Sequence, residues 1–169
     1  RNFNRIDNFS AFLTASPAVG SWHPQLTVGV QKQWAKIEHN GETLQMDTPL
    51  FFCTLNNGIQ LPYHWTLSTD INFQSKGDYQ NIYMYQNVFM MNATLTKSFL
   101  NEHLFIHLQG IDLTHGRKDG NRIYNKHMNM DVANVSDSRE LRFTIRYKFN
   151  TAKSKYKGKG AAAEEIKRL

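Results

Sequence analysis

The stretch ELRFTIRYKF, Glu140 to Phe149, decides how the chain is read. Leu141, Phe143, Ile145, Tyr147 and Phe149 fall on one parity; Arg142, Thr144, Arg146 and Lys148 fall on the other. Side chains alternate between faces along a strand. One face of this segment is therefore apolar and aromatic, and the other is polar with three positive charges.

The same period of two recurs upstream. In WTLSTDINFQ (65–74), Trp65, Leu67, Ile71 and Phe73 share a face with Thr69, opposite Thr66, Ser68, Asp70, Asn72 and Gln74. QLTVGVQKQW (25–34), LFFCTLNNGIQL (50–61), VFMMNATLTKSF (88–99) and LFIHLQG (104–110) alternate in the same way, with Lys32 interrupting one apolar face. FSAFLTA (9–15) is a weaker strand. The pattern predicts seven strands, at roughly 9–15, 24–37, 50–61, 64–74, 88–98, 103–113 and 139–149. They should form one antiparallel meander, with Leu67, Leu95, Leu108 and Ile145 on one face.

The connections alternate between short (SPAVGSWHP, PYH, LNE) and long (HNGETLQMDTP, SKGDYQNIYMYQN, and 114–138). Transmembrane barrels have this asymmetry, with short periplasmic turns and long extracellular loops. It puts Phe149 on the short-turn side. The ribbon NRIYNKHMNMDV (121–132) extends the last long connection, or supplies an eighth strand if the chain closes on itself.

Alternation does not say which face is inside. A soluble calyx turns its apolar face inward, and a membrane barrel turns it outward. GSW at Gly20–Trp22 is similar to the G-x-W of lipocalins, but follows a strand where a lipocalin would place it in the first one. Two features favour the membrane. Trp34, Phe51, Trp65, Phe73, Phe89, Phe99, Tyr147 and Phe149 sit near strand ends, as interfacial girdles require. The polar faces carry Thr, Asn and Gln rather than the Lys and Glu of soluble surfaces.

Composition narrows the classes further. The 169 residues carry a net charge of +6 and a mean hydropathy of −0.55, with no apolar run long enough for a membrane helix. Six basic residues against Glu164 and Glu165 concentrate four net positive charges after Thr151, which leaves two for the rest. That distribution is not a nucleic-acid footprint. The lone Cys53 cannot form an internal disulfide and reads as a buried or lipid-facing thiol.

QSKGDYQN (74–81), DSRELRFTIRYKFN (137–150), SKYKGKGAAAEEIKRL (154–169), SPAVGSWHPQLTVGVQKQW (16–34) and GIDL (110–113) resemble the end of an outer-membrane β-barrel family of Bacteroidetes related to TonB-dependent receptors. The resemblance implies an all-β fold, an antiparallel meander forming part of a transmembrane barrel in the bacterial outer membrane. It implies that residues 1–150 are a C-terminal barrel segment and 151–169 a basic periplasmic tail, expected to be disordered. Related receptors often end at the final Phe, whereas this chain continues. Leu141, Phe143, Ile145, Tyr147 and Phe149 would face lipid, and Arg142, Arg146 and Lys148 the lumen. Implied partners are outer-membrane lipid, upstream barrel and plug segments of the same protein, the TonB system, the barrel assembly machinery and a small ligand of unknown identity. The expected function is transport, as the wall of a receptor for ligand uptake. The alternatives are an autonomous small β-barrel binding protein (a small outer-membrane barrel or a lipocalin-like calyx) and a structural or adhesive barrel.

Sites are few. Tyr79, Tyr83 and Tyr85 could stack on a ligand, although loop packing competes with that role. His103 and His107 share a parity but lie about 13 Å apart along a strand, too far for one ion. Asp70 on a polar face reads as a satisfied lumen contact. The sequons at Asn92 and Asn134 carry no meaning in a bacterial setting. No catalytic constellation is visible, so neither an enzyme nor a cofactor is expected.

Overall fold

The computed structural model describes residues 3–135 and 137–149. The basic tail from 151 onward lies outside the described residues. Twelve strands are present among them: β1 (Phe3–Ala15), β2 (Trp22–His39), β3 (Glu42–Met46), β4 (Leu50–Leu61), β5 (Trp65–Gln74), β6 (Gly77–Tyr79), β7 (Ile82–Met84), β8 (Val88–Phe99), β9 (Leu104–Ile111), β10 (Lys118–Tyr124), β11 (Asn129–Val135) and β12 (Glu140–Tyr147).

Seven of them form the expected meander, in the order β1-β2-β4-β5-β8-β9-β12, every pair antiparallel. The register follows from parity, because a one-residue slip would turn every side chain to the wrong face. One row reads Trp22, Ile59, Leu67, Leu95, Leu108, Phe143, and the next brings in Ile106 and Ile145. The other face carries rows such as Thr14, Thr27, Thr54, Asn72 and Gln25, Asn56, Asp70, Asn92. Side-chain hydrogen bonds tie neighbours there: Thr54 donates to Asn72 at 3.2 Å, and the Thr14 and Thr27 hydroxyls lie 3.1 Å apart.

The short connections lie at one end of the sheet. Tyr63 and His64 (φ 60° and 62°) close β4 onto β5, and Leu100, Asn101 and Glu102 (φ 53°, 50° and 64°) close β8 onto β9. The long connections at the other end are not irregular. β3 folds back on β2 through Asn40 and Gly41, both left-handed (φ 49° and 83°), as a two-residue primed turn requires. The other two long connections build a second sheet, ordered β11-β10-β7-β6. The ribbon 121–132 thus pairs with itself and with β7 rather than adding a barrel strand.

The packed core lies in this cap, not in the wall. Along β2 the polar-face parity changes character above Gln33, and Ala35 and Ile37 are buried with Met46 of β3. Ile6, Leu44, Tyr83 and Tyr124 pack against them. Among the described residues the wall below the cap has no comparable buried cluster, being one layer thick.

Candidate functional site

The apolar face of the meander is exposed along its length. Phe9, Leu13, Trp22, Leu26, Phe51, Trp65, Phe73, Phe89, Phe99 and Leu108 all lie on it and are all exposed. On β12 the same parity gives Leu141, Phe143 (62%), Ile145 and Tyr147. Cys53 sits half-buried within it, between Val28 and Phe73. On β8 the face runs from Phe89 to Phe99. Ten steps of about 3.4 Å, tilted about 40°, give a height of about 26 Å, close to the apolar band of about 25 Å on membrane barrels. Lys97 is at the lower rim of this face, its Nζ 5.2 Å from the Trp65 ring centroid and 5.4 Å from that of Phe99, and it donates to the Tyr63 carbonyl. An ammonium over aromatics at a band edge is a snorkelling arrangement.

The polar face carries charges of its own. Arg142 forks onto Glu140 (Nε–Oε1 2.9 Å, Nη2–Oε2 3.1 Å), both on β12. Arg146 is exposed beside Phe105, and Lys148 Nζ lies 4.6 Å from the Phe105 ring centroid. Asp70 stands between Asn56 and Asn92. His107 Nδ1 lies 2.9 Å from the Thr96 hydroxyl, and His103 Nδ1 lies 2.8 Å from the Leu100 carbonyl, so the two histidines serve different contacts.

At the long-connection end the cap is latched to β2. The Gln33 side chain, 2% exposed, donates to the Gln80 carbonyl at 2.8 Å and accepts from the Gln80 amide at 2.6 Å. Asp78 accepts from the Thr48 amide at 2.8 Å, and Asn81 donates to the Tyr124 carbonyl at 2.9 Å. His39 Nδ1 meets the Asn125 carbonyl at 2.7 Å, and Lys126 pairs with Glu38 at 3.2 Å. Within the ribbon, the Arg122 guanidinium is held above its ordinary range by hydrogen bonding to Asp131. Asp112, 2% exposed, organises the start of the longest connection. Its carboxylate accepts from the amides of Gly116 (2.8 Å) and Arg117 (3.3 Å) and from the Ser138 hydroxyl. Burial pushes that carboxyl up, but these bonds and nearby His115 outweigh it and hold it below its ordinary value.

The three tyrosines separate. Tyr83 packs on the cap core, Tyr85 lies against Gly120, and Tyr79 is 40% exposed. A cleft of about 400 Å³ opens instead between the ribbon and the upper polar face of β5 and β8. Gln74, Gln86, Asn121, Arg117 and the Met84 and Met90 side chains line it. Sequence reasoning missed it because β5, β7, β8 and β10 contribute from distant positions, and only the fold brings them together.

A single-layer antiparallel meander that exposes an aromatic-rimmed apolar band of membrane height is the wall of a membrane-spanning β-barrel. The model of the outer membrane protein beta-barrel family matches residues 1–147, and the chain belongs to that family. Its place is the bacterial outer membrane. Compared with curated proteins and with solved structures, the chain has no match.

Proposed function

We propose that this chain is a wall segment of a TonB-dependent-receptor-like barrel that takes up a ligand across the outer membrane. Leu141, Phe143, Ile145, Tyr147 and Phe149 face lipid in this reading, and Arg142, Arg146 and Lys148 face the lumen. The long connections lie outside the cell and the short turns in the periplasm, following the asymmetry of such barrels. β1 and β12 each pair on one side only among the described residues, and lipid does not tolerate an open ladder. Further strands, a plug and the inner-membrane energising system complete the receptor in this account, and the assembly machinery reads the aromatic end of β12. A barrel in lipid places its membrane-facing residues by parity, so the lipid and lumen sets are the two faces of one register.

The observation that carries uptake is the latched cap. A passive pore needs no ordered lid, yet here two long connections fold into a second sheet fixed to β2, the third pairs with β2 as β3, and a polar cleft is left against the inner wall. Cells with and without the protein should be compared for accumulation of labelled glycans and ferric chelates, with and without an inner-membrane uncoupler. Energy-dependent accumulation that requires the protein is expected. Accumulation unaffected by the uncoupler would point to a pore. Sidedness is checked separately by Lys126→Cys in a Cys53→Ser background, which should react with an impermeant maleimide on intact cells.

A further inference from the structure

We propose that the outward face of β1, β2 and β3, just above the apolar band, binds the phosphate groups of an outer-leaflet glycolipid. Lys32, Lys36 and Arg5 are the anion-binding groups and Trp34 is the platform on which the sugar rests. The site rests on the sidedness assigned above.

Lys32, Trp34 and Lys36 continue the apolar face of β2 upward from Val28 and Val30, and Phe9 and Asp7 stand opposite Lys32 and Trp34 on β1. Gln45 stands opposite Lys36 on β3. The lipid-facing surface therefore turns basic just where the aromatic rim ends. From Lys32 to Lys36 is about 13 Å along the strand, a span suited to a headgroup layer rather than to acyl chains.

The surface there is concave. A cleft of about 370 Å³ is lined by Arg5, Asp7, Trp34, Lys36 and Gln45. Lys32 Nζ lies 5.2 Å from the Trp34 ring centroid, and that indole is 47% exposed.

The neighbouring carboxylates are already engaged. Asp7 accepts from Arg5 at 2.9 Å, Asp47 accepts from Gln45 at 2.7 Å, and Glu38 pairs with Lys126. Lys32 and Lys36 have no carboxylate partner among the described residues. The Arg5–Asp7 pair is solvent-exposed, so releasing Arg5 to a phosphate costs little. Two free ammonium groups, a releasable guanidinium and an aromatic plate match a phosphorylated sugar, which offers anionic oxygens beside a carbohydrate face.

The test uses the purified, delipidated protein in detergent and native mass spectrometry. The probes are a diphosphorylated glycolipid of the lipid A type, its dephosphorylated counterpart, and inorganic phosphate as competitor. The phosphorylated glycolipid should bind. R5A/K32A/K36A should weaken it about tenfold or more, the size of loss expected when charge-assisted contacts go. K32R/K36R, which keeps the charge, should retain binding and guards against a folding defect. K76A/R139A, removing charge elsewhere on the cap side, should leave it unchanged. Equal binding of the dephosphorylated lipid, undiminished binding by the triple variant, or an equal loss in K76A/R139A would overturn the proposal. Competition by inorganic phosphate at matching concentration would also overturn it, by assigning the site to free anions. If the Lys126→Cys label instead reports the periplasm, the sidedness has failed and not the anion chemistry.

Discussion

Asp112 holds the turn from which the longest connection departs. Its backbone is left-handed (φ 47°), its amide donates to Asn92 Oδ1 at 2.9 Å, and its carboxylate gathers two amides and a hydroxyl. The folded-state carboxyl titrates below its ordinary 3.8. Its stabilising contribution is therefore full above 3.8 and is lost as pH falls through the lower folded value. Hydrogen exchange at the Gly116 and Arg117 amides should stay slow down to about pH 4 and rise only below it. Asp112→Ala should speed that exchange already at neutral pH, by the roughly 1–3 kcal/mol that unsatisfied buried donors cost, and remove the acid dependence. Gly116→Ala should disturb the same turn, because a Cβ there would overlap the Phe89 carbonyl. A retained Gly116 environment in that variant, seen as unchanged exchange, would contradict this packing. None of this is local in sequence: Ser138 lies far downstream of the GIDL segment that contains Asp112, so the segment can be matched by resemblance while its chemistry stays hidden.

The strands of the wall were legible because one physical signal, period two, is imposed along their whole length by the contrast between lipid and water. Trp65–Gln74 keeps it but for Thr69, and Leu50–Leu61 but for Leu50, Phe52 and Asn57, and their bounds come within a residue of expectation. β6 and β7 have three residues each, too few for any period, and are held by Gln33, Asp78 and the cap core instead. β3 had a readable signal in Asn40-Gly41, a dipeptide suited to a primed two-residue turn, within what reads otherwise as a plain connection. Phe143→Arg should cost about 2–4 kcal/mol if it lies near mid-depth, whereas Thr144→Arg on the other face should cost far less; urea titration of the barrel in lipid vesicles separates them. Gln33→Ala should strand the Gln80 amide and carbonyl and cost roughly 1–3 kcal/mol of cap stability. Limited proteolysis should then cut within 75–87 while the wall stays resistant. A wall that unfolds together with the cap would show that the two sheets are one cooperative unit.

For the whole molecule the decisive property is that the wall's exposed apolar side chains, Phe12 aside, are ordered by parity onto one face. That arrangement is costly in water and natural in lipid. The cap reverses it, burying Ala35 and Ile37 on the parity that carries Gln31 and Gln33 just below. The chain thus changes environment along β2, from a one-layer wall with an apolar and a polar face to a packed cap. The sequence shows this only as a run of alternation that gives way to Ala35 and Ile37 on the formerly polar parity, and the reason becomes visible once Tyr83 and Tyr124 are seen to cover them. The measurement that tests the account most directly is a nitroxide scan of β12, one label at a time from Leu141 to Tyr147, in vesicles. Collision with oxygen reports lipid, and collision with a polar nickel chelate reports water. Positions 141, 143, 145 and 147 should favour oxygen, and 142, 144 and 146 the chelate, in strict alternation. Reversed parity, or equal access of both reagents along the strand, would contradict the assignment of the apolar face to the membrane.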